Sequence, residues 1–272
     1  GDRVTHTAQH LHGGTGFSYA ASAGGGIARA SIYGAGRISS GGNFSGPKEL
    51  ETFAAVAKAV FGQSQVPSCT AEFVSAWKLK GVGTSASLCA AFAAGLFKRT
   101  GKKPTAEEIF AAAQAGDLGA HGGRASGIDA KTVSEGGAIT FQRRFSPPAF
   151  EFKPVKLSLP AGTALLLIDT FSGKKSTTAE MAALFAASFG IAKPPQELGE
   201  DERQKVLEEY ESVWGGVTSA LGKGDAKTLG SLMNTNHALL KKRGVSSKGM
   251  ELAVSAALSA GAWGAKMTAA GG

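Results

Sequence analysis

The stretch "CTAEFVSAWKLKGVGTSASLCAAFAAGLFKR", residues 69–99, constrains the fold more than any other. Its first part, "CTAEFVSAWKL", alternates and predicts a strand. The alanine-rich run from Ser85 predicts a helix ending in Lys98 and Arg99, where the helix dipole favours cations. Between them lies Gly81-Val82-Gly83-Thr84-Ser85-Ala86-Ser87. A strand, a glycine turn and a helix start leave backbone N–H groups free to hold an anion without a charged side chain. Gly81 and Gly83 let the backbone come close, and Thr84 and Ser85 add hydroxyls. With 39 glycines in the chain, the loop taken alone reads first as a capping turn with Ser or Thr as the cap. A P-loop would need G-x-x-x-x-G-K-[ST]. "SGKKST" at 172–177 mimics its end, but Ile168 stands where the first glycine belongs.

The 272 residues are 43% hydrophobic and 18% charged, which suits a folded globular chain of one large domain or two lobes. No run approaches the roughly 18 apolar residues of a membrane-spanning helix. The first residues lack a secretory signal pattern. Cys69 and Cys89 make no disulfide framework and suit a reducing compartment, so a cytoplasmic protein without membrane association is expected. A net charge of +8 attracts polyanions, yet Lys and Arg are spread out, with only short clusters such as Lys241-Lys242-Arg243. Without an aromatic RNA-binding motif or zinc-finger spacing, nucleic acid is not an expected partner. The chain starts at Gly1 without Met and stops at "KMTAAGG", inside what reads as a glycine turn; an incomplete chain is expected.

Along the chain, residues 16–40 read as twisted strands or a hairpin, and Pro47 opens a helix in its favoured first-turn position. Thr105 with Glu108, and Thr177 with Glu180, are capping-box patterns before helices. "GGAITFQRR" and "TALLLID" read as strands, with a candidate boundary at Pro147-Pro148 between lobes of residues 1–150 and 151–272. Helices are expected over about 200–221, 225–243 with Asp225 as cap, and 247–260. The result is a mixed α+β protein with a helix-rich C-terminal half. His6, His10 and His12 lie within seven residues, two of them on one face if helical, but no Glu or Cys completes a metal pattern. His237 reads as structural.

Several motifs carry a resemblance. "GVGTSASL" resembles the second motif of the GHMP kinases, G-L-G-S-S-A-A-L. "HGGRASGIDAKTVSEGG" at 121–137 resembles H-G-x-P-S-G-x-D-x-x-x-x-x-x-G-G of the mevalonate kinase branch. "TFSGKKSTTAEM", "LGSLMNTNHALLKKRGVSS" and "GAWGAKMTAAGG" are similar to later motifs of that branch, in the same order. "GDRVTHTAQHLHGG" is similar to the first motif, with Arg3 at its basic position. Ala8-Gln9-His10 stand where G-E-H is usual, and Ala269-Ala270 depart from the G-A-G of the third motif.

The resemblance implies a two-lobed GHMP-kinase fold, with an N-terminal lobe like ribosomal protein S5 domain 2 and a helix-rich α/β C-terminal lobe truncated at its end. It implies an ATP- and Mg²⁺-dependent phosphotransferase acting on a small hydroxy acid, the 5-hydroxyl of (R)-mevalonate in isoprenoid precursor synthesis. Phosphomevalonate or a sugar as acceptor, or nucleotide binding with weak catalysis, stay open, as does a homodimer. By residue, Lys80, Gly81, Val82, Gly83, Thr84, Ser85, Ala86 and Ser87 match the nucleotide loop. Ser85 and Asp117 match the Mg²⁺ ligands, with Asp117 where Glu is usual. Asp129 matches the catalytic carboxylate, and Arg3 its basic partner. Gln9, His10, Ser176, Thr177, Thr268 and Ala269 match substrate contacts.

Overall fold

The computed structural model describes residues 2–4, 7–10, 15–21, 28–33, 47–62, 70–75, 83–121, 123, 125–145, 148–155, 159–170, 176–192, 197, 199–268 and 271. The chain forms two compact units, residues 1–10 with 18–138, and residues 11–17 with 139–272. The division between 138 and 139 lies ahead of the proline stretch that suggested a boundary near 150.

The first unit holds β1 (Asp2–Val4), β2 (Thr7–His10), β3 (Thr15–Ala21, shared with the second unit), β4 (Ala28–Tyr33) and β5 (Thr70–Ser75). Its helices are α1 (Pro47–Phe61), α2 (Thr84–Arg99), α3 (Ala106–Ala120) and α4 (Ile128–Glu135). One antiparallel sheet runs β1-β4-β5, with Arg3 opposite Arg29 and Tyr33 opposite Thr70. β2 pairs antiparallel with β3, Thr7 opposite Ala21 and His10 opposite Ser18. The strands expected over 16–40 are present, but β3 and β4 belong to different sheets and form no hairpin. Strand alternation shows which residues can share a face; it does not say which strand lies alongside.

α2 is buried on every side: Ala86, Leu88, Cys89, Ala90, Ala91, Phe92, Ala93 and Leu96 are each at most 2% exposed. A helix apolar all round is stable only when enclosed, and here α1, α3 and α4 pack against it. Phe53 of α1 meets Phe92 edge-to-face at 5.4 Å. Thr105 caps α3 by the capping box its spacing predicts, accepting from the Glu108 N–H at 3.2 Å while Glu108 accepts from the Thr105 N–H at 2.9 Å. The buried Lys131 of α4 ties that helix to α3 through Glu107 at 2.5 Å, and also pairs with Glu135 at 2.7 Å.

The second unit holds β6 (Gly137–Phe145), which begins in the first unit, and β7 (Pro148–Val155), its neighbour in the sheet. Its helices are α5 (Thr178–Ala187), α6 (Glu200–Lys223), α7 (Ala226–Lys242) and α8 (Lys248–Ser259). Met181, Tyr210, Leu240, Val245 and Met267 form its core with Phe185, Phe189, Leu239 and Met250 packed against them. Asp225 caps α7 and Ser247 caps α8, both accepting from the N–H three residues on. The strand expected at "TALLLID" is absent: residues 163–169 form no ladder, and Leu166 is 81% exposed. Apolar sequence favours a strand only where a partner supplies hydrogen bonds, and no described strand lies beside this segment.

Candidate functional site

The start of α2 has no side-chain cap. Gly83 stands at the N-cap in the left-handed region, φ 70°, where a side chain would be strained. The Ser87 N–H donates to the Gly83 carbonyl at 2.9 Å, so the helical ladder begins there and the preceding N–H groups are left ahead of it. α3, α5, α7 and α8 all carry side-chain caps. The capping-turn reading, with Ser or Thr as cap, is therefore overturned for this loop. What remains is an uncapped, positive helix end with no acidic residue in its first turn, the electrostatic form of an anion site. Ala86 and Ser87 have no exposed surface, so an anion would meet Gly83 and Ser85 first. Lys80, Gly81 and Val82 lie outside the described residues, as does the side chain of Thr84.

Ser85 Oγ donates to Asp117 Oδ1 at 2.8 Å. Asp117, in the last turn of α3, is 2% exposed. His121, one turn further, sets its Nδ1 3.2 Å from the same Oδ1 and 3.0 Å from the Asp117 carbonyl. Hydrogen bonding and charge from Asp117 raise the His121 imidazole to about 9, so it is cationic at neutral pH. The sequence reading gave His121 no role, although its i, i+4 spacing from Asp117 puts both on one helical face.

Asp129 stands in the first turn of α4, whose N-cap Gly127 is also left-handed and also lacks a side-chain cap. Burial raises the Asp129 carboxyl to about 8; the negative Asp117 adds to the rise and His121 opposes it. Ser85, Asp117, His121 and Asp129 thus form one electrostatically coupled cluster where α2 and α4 start and α3 ends. Ser85 and Asp117 offer a hydroxyl and a carboxylate, hard oxygen donors, already in contact. Such a pair fits Mg²⁺, which takes few protein ligands and keeps water and phosphate oxygens for the rest. Among the described residues no group of three or more His, Cys, Asp or Glu is arranged to hold a metal by itself.

Arg3 lies on β1, and Gln9 and His10 on β2 opposite Tyr19 and Ser18. Because β2 is a strand, the helical-face argument for His6 and His10 does not apply; His6 and His12 lie outside the described residues. In the second unit, Thr177 caps α5, accepting from the Glu180 N–H at 3.2 Å and donating to its carboxylate at 2.9 Å. Its hydroxyl is thereby engaged in helix formation. Ser176 precedes it and is partly exposed. Thr268 lies in the loop that follows α8, and Ala269 lies outside the described residues. In that loop Lys266 is drawn down to about 7 by burial, its Nζ donating to the Met267 carbonyl at 2.6 Å. No helix among the described residues is long and apolar enough to cross a membrane.

The fold is that of the two-lobed α+β small-molecule kinases. It matches the crystal structure of L. major mevalonate kinase in complex with R-mevalonate over 98% of this chain and 83% of that one, with a TM-score of 0.71 at 21% identity. Streptococcus pneumoniae phosphomevalonate kinase in complex with phosphomevalonate and AMPPNP matches over 98% and 88%, with a TM-score of 0.70 at 14% identity. The family model for the C-terminal region of GHMP kinases matches residues 217–272. The mevalonate kinase of Aeropyrum pernix is 30% identical over 191 residues, 70% of this chain and 54% of that protein. That of Pyrococcus furiosus is 32% identical over 199 residues, 71% and 53%. The chain belongs to the GHMP kinases. It spans about half the length of the curated relatives it matches.

Proposed function

We propose that the protein transfers the γ-phosphoryl group of ATP to the hydroxyl of a small hydroxy acid, the 5-hydroxyl of (R)-mevalonate. The observation that carries this reading is the uncapped start of α2 beside the Ser85–Asp117 pair and Asp129. The triphosphate would be held by backbone N–H groups of the loop of residues 80–87. Ser85 and Asp117 hold Mg²⁺, which when bound neutralises phosphate charge. Asp129 accepts the proton of the acceptor hydroxyl as its oxygen bonds the γ-phosphorus and the β–γ bridge breaks, releasing ADP. Arg3 favours the ionised form of Asp129 that the reaction requires and steadies charge on the moving phosphoryl group, without carrying a proton. Gln9, His10, Ser176, Thr268 and Ala269 contact the acceptor; Thr177 does so only if its capping bond opens. The relatives named mevalonate kinase support the acceptor, and the reaction is set in the cytoplasm.

The test offers ATP and Mg²⁺ with (R)-mevalonate, phosphomevalonate or galactose, following new phosphate esters by ³¹P NMR. Phosphomevalonate from mevalonate is expected, abolished in Asp129→Asn. A sugar phosphate with no mevalonate product would sink the acceptor assignment. Bound ATP with no ester from any acceptor would sink catalysis itself.

A further inference from the structure

One face of α7 carries Gly230, Asn234 and His237, at spacings i, i+4 and i+7, and the loop of residues 263–268 lies along it. A Cβ on Gly230 would sit 2.7 Å from the Trp263 carbonyl carbon, and one on Gly264 would overlap the Gly230 carbonyl. The two backbones touch there because neither residue has a side chain. One turn on, the Asn234 carboxamide bonds the loop twice: its oxygen accepts from the Ala265 N–H at 2.9 Å, and its nitrogen donates to the Trp263 carbonyl at 3.3 Å. Next, the Met267 N–H donates to His237 Nδ1 at 3.3 Å. A backbone N–H can only donate, so Nδ1 is the bare nitrogen and the imidazole proton sits on Nε2, 3.1 Å from Glu251 Oε1 on α8. Three successive loop elements are each fixed by a group on α7.

We infer that Gly230, Asn234 and His237 form a seat that sets the path of the 263–268 loop, and that Asn234 and His237 are positioning residues for Lys266 and Thr268. None of the three was singled out as functional in the sequence, yet they account for how a loop without regular structure holds one conformation. What the loop presents to an acceptor rests on the proposed phosphotransfer; how it is held does not.

Two variants and two readouts test this. Asn234→Ala removes both carboxamide bonds. Asn234→Asp keeps an oxygen to accept from the Ala265 N–H, but loses the donor and sets a carboxylate oxygen against the Trp263 carbonyl. Amide hydrogen exchange at residues 264–268 should quicken about tenfold in the Ala variant and by less in the Asp variant, with the Ala265 amide the better protected of the two bonded positions. Amides of α6 should be unchanged in both. In the phosphotransfer assay, the Ala variant should raise KM for mevalonate about tenfold with KM for ATP unchanged, and the Asp variant should recover part of that loss. Loop amides that exchange at the parent rate in Asn234→Ala would overturn the seat. Acceleration spread equally through α6 would reduce Asn234 to a general stabiliser and overturn the local role. A freed loop with both KM values unchanged would overturn positioning. A parent that phosphorylates no acceptor removes the kinase reading alone; the exchange result still decides the seat.

Discussion

Ser85 and Asp117 meet at 2.8 Å across the α2–α3 packing, and the residue before Asp117 decides how closely those helices approach. That residue is Gly116. A Cβ there would stand 2.5 Å from Val56 Cγ2 on α1 and 2.7 Å from Cys89 Sγ, one turn along α2 from Ser85. Gly116→Ala should therefore cost about 1–3 kcal/mol of stability by overpacking. It should also lower phosphotransfer by parting Ser85 from Asp117. Urea unfolding and turnover of Gly116→Ala, with and without Cys89→Ala, check this; the second substitution should restore part of both. A Gly116→Ala protein as stable and active as the parent would contradict the packing argument.

Asp117→Asn keeps the shape of the side chain and its capacity to accept from Ser85, but removes the charge. If Ser85 and Asp117 hold Mg²⁺, kcat should fall on the order of 10²–10³-fold and the Mg²⁺ requirement should rise. Turnover measured across a Mg²⁺ titration separates loss of the cation from loss of the fold.

The cluster also predicts how stability varies with pH. Asp129, raised to about 8, holds a proton in the folded state that an unfolded carboxylate has lost above roughly 4. His121, raised to about 9, contributes stability in full below the unfolded value of roughly 6.5 and loses it as pH rises through about 9. In both cases the folded state binds more protons, so the two contributions have the same sign: unfolding free energy should fall between pH 6 and about 9. Denaturant unfolding at intervals over that range measures the slope. Asp117→Asn should flatten it, because Asp117 contributes to both shifts. In the parent, kcat/KM should climb through about pH 8 as Asp129 ionises; a profile already flat at pH 6 would argue against Asp129 as proton acceptor.

Lys131 yields a contrast of a different kind. Its side chain is 1% exposed and sits between Glu107, Glu135 and the Phe110 ring. Lys131→Met keeps the volume and removes the charge, and should change stability by less than about 1 kcal/mol. Glu107→Gln with Glu135→Gln strips two carboxylates from a buried ammonium and should cost about 3 kcal/mol or more. Thermal unfolding of the two variants in parallel ranks them.

The helices were legible in the sequence because their signals are local. Thr105, Thr177 and Asp225 each announce a helix start through a partner three residues on, and each makes that bond in the structure. Segment 163–169 failed for the opposite reason, since a strand is defined by a neighbour that apolar residues cannot specify. In the candidate site, Ser85, Asp117 and Asp129 could be named from a pattern, but their closeness depends on helix packing around Gly116. No pattern in the sequence pointed to a role for His121 or Asn234. One sits past the end of α3 and the other mid-helix, and in each case the meaning lies in what faces it across a gap of space rather than of sequence.

Cys89 lies under Ser85 and Asp117 at 1% exposure, its thiol held well above the ordinary range by burial and by the negative Asp117. A thiol so placed is inert until α2 lifts away from α3. In a Cys69→Ser background, the rate at which Cys89 takes up an alkylating reagent is therefore a stopwatch for that opening, wound by the protein's own architecture. Any ligand that settles against Ser85 and Asp117 should slow the watch, whether or not it is ever turned over.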